Sequence, residues 1–111
     1  LHDALPISLV NMDEVQRQLN IVSADIDTLK EKTDKIVDQA NLTEQLLQYA
    51  NRYRATNERV AAASEQARMF YERDYNFDKA MDVLGPALDS VEPGVYEKLV
   101  DAYMRRKTPL L

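Results

Sequence analysis

No glycine or proline interrupts residues 7 to 84 of this 111-residue chain. Within that run Met12, Val15, Leu19, Val22, Ile26, Leu29, Thr33, Ile36, Ala40, Thr43, Leu47 and Ala50 follow one another at alternating steps of three and four. A half-buried strand would alternate every second residue, whereas this spacing keeps one face of a helix apolar. With no breaker on the way, a single helix over about 10–54 is expected, roughly 65 Å long at ~1.5 Å per residue. Asp13/Arg17 and Glu31/Lys35 are expected to pair across single turns of its surface.

The stripe changes width along its length. From Met12 to Ile36 it is a narrow seam of the coiled-coil type. From Leu42 onward a second row joins it, Leu42, Leu46, Tyr49 and Tyr53, and a face that wide suits a bundle interior. The remaining chain supplies the partners. Thr56 or Asn57 is expected to cap a second helix, about 57–73, with Val60, Ala63, Ala67 and Phe70 inward. Asn76 is expected to cap a third, about 77–91, with Phe77, Ala80, Met81, Leu84, Ala87, Leu88 and Val91 inward. Gly85-Pro86 falls inside it, and the proline should cost a hydrogen bond to Asp82 and kink it. Glu92-Pro93-Gly94 separates a fourth helix, about 95–106, with Val95, Leu99, Tyr103 and Tyr96 as its apolar residues.

The expected class is therefore all-α: a long coiled-coil-type helix packed at its C-terminal half with about three shorter ones. Those shorter helices reach only ~18–25 Å. Folded back from residue 54, they cover the long helix to about residue 37. Met12, Val15, Leu19, Val22, Ile26, Leu29 and Ile36 are left as an exposed seam, and such a stripe marks an association surface. Its partner is expected to be either a preceding segment of a longer parent or a second copy, as a homodimer through residues 12–36.

The ends are read separately from this helical repeat of residues 10–106. The start at Leu1 rather than Met suggests a fragment, and Leu1-His2-Asp3-Ala4-Leu5-Pro6-Ile7-Ser8 looks like translated sequencing adapter. Residues 1–9 are accordingly expected to be a disordered or artefactual lead-in, and 107–111 a tail after the proline stop at Pro109.

Composition excludes most chemistry. The chain has no cysteine, and its one histidine, His2, lies in the lead-in, so no metal site, thiolate nucleophile or Ser-His-Asp triad is expected. Two glycines are too few for a phosphate-binding loop. A net charge of −5 opposes nucleic-acid binding, which needs basic surface to release counterions. No apolar run approaches the ~18 residues of a membrane span. No catalytic residue, cofactor or small-molecule substrate is expected, and the chain reads as a non-enzymatic interaction module.

One segment is distinctive. Glu44-Gln45-Leu46-Leu47-Gln48-Tyr49-Ala50-Asn51-Arg52-Tyr53-Arg54 resembles the C-terminal signature of the septation ring formation regulator family EzrA, whose Gln-Tyr-Ala-Asn-Arg-Tyr-Arg stretch is called the QNR patch. The resemblance continues through Ala67, Phe70, Tyr75, Ala80 and Val91-Glu92-Pro93-Gly94, covering roughly residues 12 to 94. Gly85-Pro86 and the tail beyond Gly94 depart from it. The resemblance implies a terminal spectrin-like repeat of a parent on the cytoplasmic side of the bacterial membrane. That parent would be held there by an N-terminal anchor absent from this soluble fragment. It implies FtsZ or other division proteins as partners, restraint of ring assembly away from midcell, and a patch tied to localisation at the division site.

The residues of the patch can also be read on their own. On a helical wheel Glu44, Gln45, Gln48, Asn51, Arg52 and Ala55 gather opposite Leu46, Ala50 and Tyr53. Residues 45 to 59 hold three arginines and one glutamate, a local excess of positive charge on an acidic chain. Gln45, Gln48, Asn51, Arg52 and Arg54 are the expected interaction patch, with the two arginines as bidentate donors to an acidic peptide. The alternative is a structural spacer or coiled-coil dimerisation element, in which these residues form an ordinary solvated face.

Overall fold

The structure is a computed structural model and describes residues 11–107. The described residues form four helices and no strand: α1 (Met12–Ala50), α2 (Glu58–Arg68), α3 (Phe77–Val91) and α4 (Val95–Arg106), with a π-helical turn, Met69–Arg73, after α2. The expected lead-in over 1–9 lies outside the described residues, as does the tail beyond 107. The chain divides after Asp34 into two units, and α1 contributes to both.

In the first unit, the described chain is helix alone. Asn11 opens it, its side-chain oxygen accepting the Glu14 N–H at 3.1 Å. Asp13 and Glu14 lie in the first turn, where the helix dipole favours negative charge. Arg17 bonds both carboxylate oxygens of Glu14, at 2.8 and 2.5 Å, and not the expected Asp13. The planar guanidinium fork matches the two oxygens of one carboxylate three residues back. Every residue from 11 to 33 is exposed, including Met12 at 66%, Leu19 at 58% and Leu29 at 62%. Thr33 interrupts the apolar stripe, but its hydroxyl turns back to the Leu29 carbonyl at 2.8 Å, a bond made within the helix.

The second unit is packed. Val37 to Ala40 of α1 are half-buried, and beyond them both predicted rows enter the core: Leu42 and Leu46 from one, Thr43, Leu47 and Ala50 from the other. Leu46, Val60, Leu84 and Leu88 are the largest side chains fully removed from solvent, each contributing ~1.5–3 kcal/mol of burial. Ala63 and Ala67 of α2 are buried, as are Ala80 and Ala87 of α3. The buried hydroxyls of Thr43 and Ser64 bond the carbonyls of Gln39 and Val60 within their own helices. Among the described residues no buried side-chain nitrogen or oxygen lacks a partner.

Two helix ends differ from expectation. α1 stops at Ala50 rather than near 54, and residues 51–56 form successive turns. Their N–H groups reach back three residues, Asn51 to Gln48, Arg52 to Tyr49 and Tyr53 to Ala50. This tighter coil satisfies the carbonyls orphaned at the end of α1 before Asn57 opens α2. α2 yields at Met69 to the π-helical turn instead of staying regular to 73. The wider turn keeps Phe70 and Tyr71 both half-buried and brings the Tyr71 ring edge-on to Phe77, centroids 6.4 Å apart.

α3 is capped by Asn76, which accepts the Lys79 N–H at 3.0 Å, and it runs on through Gly85-Pro86 to Val91. Gly85 has a packing reason: a Cβ there would lie 3.2 Å from the Tyr96 ring of α4. At the start of α4, Gly94 adopts φ +79 and carries no side-chain cap. Asp89 of α3 supplies one instead, accepting the Tyr96 N–H at 3.1 Å. α4 closes against α1 at its far end, where Tyr103 Oη and Lys107 Nζ both bond Asp38, each at 2.8 Å.

Candidate interaction surface at the end of the long helix

The five expected patch residues, Gln45, Gln48, Asn51, Arg52 and Arg54, are all exposed. They do not share one helical face. Gln45 and Gln48 lie on α1, whereas Asn51, Arg52 and Arg54 lie in the tight turns beyond it. A wheel drawn at the α-helical angle therefore misplaces the last three, because a three-residue pitch advances ~120° per residue.

The geometry is organised by a residue that the sequence marks only as part of a break. Tyr49, in the last turn of α1, donates its hydroxyl to Glu92 at 2.6 Å from both carboxylate oxygens. Tyr53, in the tight turns, donates to the same carboxylate. Glu92 stands where α3 ends: its own N–H bonds the Leu88 carbonyl at 2.9 Å, and its carbonyl accepts the Val95 N–H at 3.1 Å. The two phenols hold Glu92 below the usual carboxylate range, and the same bonds, with burial second, push both phenols up. Glu92 is therefore a carboxylate and the tyrosines are neutral donors across the neutral pH range.

The arginines are less free than a count of charge suggests. Arg52 stacks over the Tyr49 ring at 4.2 Å, a cation–π contact, and its charge also helps hold Glu92 ionised. Arg54 pairs with Glu65 of α2. Gln45 accepts from Arg106 Nη2 at 3.3 Å, which ties α1 to the end of α4. The local positive charge is thus met by Glu65 and Glu92, residues distant in sequence. Exposed pairs of this kind are worth ~0–1 kcal/mol, so an incoming carboxylate could exchange for Glu65 at little cost.

Elsewhere, Ala40, Thr43, Leu47 and Tyr71 line a groove of about 180 Å³. Arg68 lies at its rim, bonded to Glu72 at 2.7 Å and Glu44 at 3.4 Å. Among the described residues no group of three or more His, Cys, Asp and Glu could hold a metal ion, and no helix is long and apolar enough to cross a membrane.

The model of the family described as septation ring formation regulator, EzrA, matches residues 1–103. Septation ring formation regulator EzrA of Streptococcus sanguinis is 42% identical over 103 residues, which cover 93% of this chain and 18% of that protein. The protein of the same name from Lactiplantibacillus plantarum is 40% identical over 99 residues, 89% of this chain and 17% of that protein. That of Enterococcus faecalis is 38% identical over 105 residues, 95% and 18%. The chain thus spans less than a fifth of the length of these relatives. No solved structure matches it.

Proposed function

The chain belongs to the EzrA family of septation ring formation regulators, and from that premise we propose that it is a non-catalytic docking segment of a cell-division regulator. Its partner in this reading is FtsZ or another division protein, bound through Gln45, Gln48, Asn51, Arg52 and Arg54, with modulation of the division ring as the outcome. The parent would act at the cytoplasmic face of the membrane, held by an N-terminal anchor. The observation that carries the reading is the exposure of these polar residues around a turn pinned at Tyr49 and Tyr53. A fixed surface docks at lower entropic cost than a mobile one.

The test is capture of purified FtsZ by the wild-type chain and by the triple variant Q48A/N51A/R52A. Capture by the variant should fall by about tenfold or more, the loss of roughly 1.4 kcal/mol of binding. Helicity should be unchanged. Equal capture by the two chains would leave the docking reading without support.

A second reading, a structural spacer or dimerisation element, is favoured by one observation. Val15, Leu19, Val22, Ile26, Leu29 and Ile36 are each between 38% and 62% exposed along one helix. Such a row of apolar side chains suits a helical partner, either a second copy or an earlier segment of the parent. Light scattering should find wild type associating at high concentration and L19D/I26D monomeric. A wild type that stays monomeric throughout would remove the homodimer and leave only the parent's own chain as occupant.

A further inference from the structure

We propose that Glu92 is the positioning residue of the docking surface, fixing Asn51 and Arg52 in place through the two tyrosines that flank them. The inference rests on the docking role proposed above.

Residues 51–56 have little to hold them locally. Their backbone bonds are mostly of the short, three-residue kind, at 3.0 to 3.3 Å, and most of their side chains are exposed. Such a segment opens readily unless tertiary contacts restrain it. Besides the exposed Arg54–Glu65 pair, two restraints reach it from far along the chain, and both of these end on one carboxylate. Tyr49 binds Glu92 just before Asn51-Arg52, and Tyr53 binds it just after. The exposed pair is thus held between two anchors that share one attachment point.

That attachment point is itself firm. Backbone hydrogen bonds on both sides of Glu92 tie it to Leu88 and Val95. Leu88 and Val95 are themselves buried residues of the core. From there the constraint passes outward: Glu92 fixes the Tyr49 phenol, and the Tyr49 ring carries the Arg52 guanidinium at 4.2 Å. Arg52 is a long side chain that would otherwise sample many rotamers, and ordering it in advance removes part of the entropy lost on binding. In this arrangement the tyrosines of the motif serve the surface from beneath, while Gln48, Asn51 and Arg52 face the partner.

The experiment compares the full chain with E92A, E92Q, Y49F/Y53F and the patch variant Q48A/N51A, using amide hydrogen exchange and capture of purified FtsZ. In E92A, exchange should accelerate by about tenfold or more at residues 49–57, with little change at residues 60–67 and 80–88. FtsZ capture should fall several-fold while helicity persists. Y49F/Y53F should reproduce both effects, and adding E92A to it should change nothing further, since each removes the same contacts. E92Q keeps an oxygen able to accept from the phenols, so it should recover most of the protection and part of the capture. Unchanged exchange at 49–57 in E92A overturns the inference. So does full capture by E92A when Q48A/N51A has lost it, and that outcome leaves the docking role standing. Full capture by Q48A/N51A removes the docking role, and the inference falls with it.

Discussion

The two stretches of α1 carry the same sequence pattern and meet opposite fates. Met12 to Asp34 and Lys35 to Ala50 share one stripe at steps of three and four, yet every residue from 11 to 33 is exposed while Leu42, Leu46, Leu47 and Ala50 are buried. What separates them is the second row that begins at Leu42. One narrow stripe is compatible with a single helical neighbour, whereas two adjacent rows require a surrounding bundle, and α2, α3 and α4 provide it. Periodicity locates the face that wants a partner. The breadth of the face decides whether the same chain can supply one.

The sharpest way to break this comparison is to truncate the same residue type in each stretch. Leu46→Ala should cost ~2–5 kcal/mol, since the side chain is fully buried, and Leu19→Ala should stay within about 0.5 kcal/mol. Urea denaturation followed by circular dichroism reads both, and a large loss at Leu19 would show that the exposed stretch already has a covering partner.

A smaller contrast lies in the caps. Asn11 and Asn57 make the same bond, to the N–H of Glu14 at 3.1 Å and of Val60 at 3.0 Å. Asn57→Ala should lower global stability by about 1 kcal/mol, because α2 unfolds with the core. Asn11→Ala should fray only the first turns, visible as faster amide exchange at 12–16 with an unchanged denaturation midpoint. Equal midpoint shifts would mean that α1 unfolds as one cooperative unit over its whole length.

The weakest effect is that of acid. Glu14 is pulled down to about 2 by Arg17 first and Gln18 second, and Glu92 is held low by Tyr49 and Tyr53, with Arg52 and Lys98 adding to it. For a carboxyl lowered by folding, the contribution is complete above its unfolded value and is lost as pH falls through the folded one. Lowering the pH from 5 to 2 should therefore loosen residues 12–18 locally and residues 49–57 by the smaller amount expected of E92Q, since protonated Glu92 still accepts from the phenols but without its charge. Amide exchange across that range distinguishes the two, and Y49F/Y53F should remove the second response while keeping the first.

Much of this organisation is legible in the sequence, for identifiable reasons. The positions of Asn57 and Asn76 before apolar periodic runs mark helix starts because an asparagine oxygen can satisfy an orphan N–H there. The inward rows of α2 and α3 follow from spacing alone. The end of α1 was not legible, because Asn51 to Thr56 contains no glycine or proline and its tighter pitch answers to tertiary contacts. Glu92 was hidden for a related reason. Its partners lie 43 and 39 residues earlier, and only the fold brings Tyr49 and Tyr53 to one carboxylate. The same applies to Arg54, whose partner Glu65 sits on the next helix. Gly85-Pro86, read from sequence as a disturbance of the third helix, has its counterpart in the Tyr96 ring that lies against Gly85.

The start of α4 has a consequence for how the end of the chain is assembled. Gly94 is committed to a left-handed backbone and brings no side chain to the first turn, so Asp89 does that work from the preceding helix. The last helix is consequently not self-starting: its opening turn acquires a side-chain acceptor only once α3 presents Asp89 beside it. A chain emerging from the ribosome would thus template α4 on a finished α3. Asp89→Ala should expose that dependency as early melting of residues 95–100 alone.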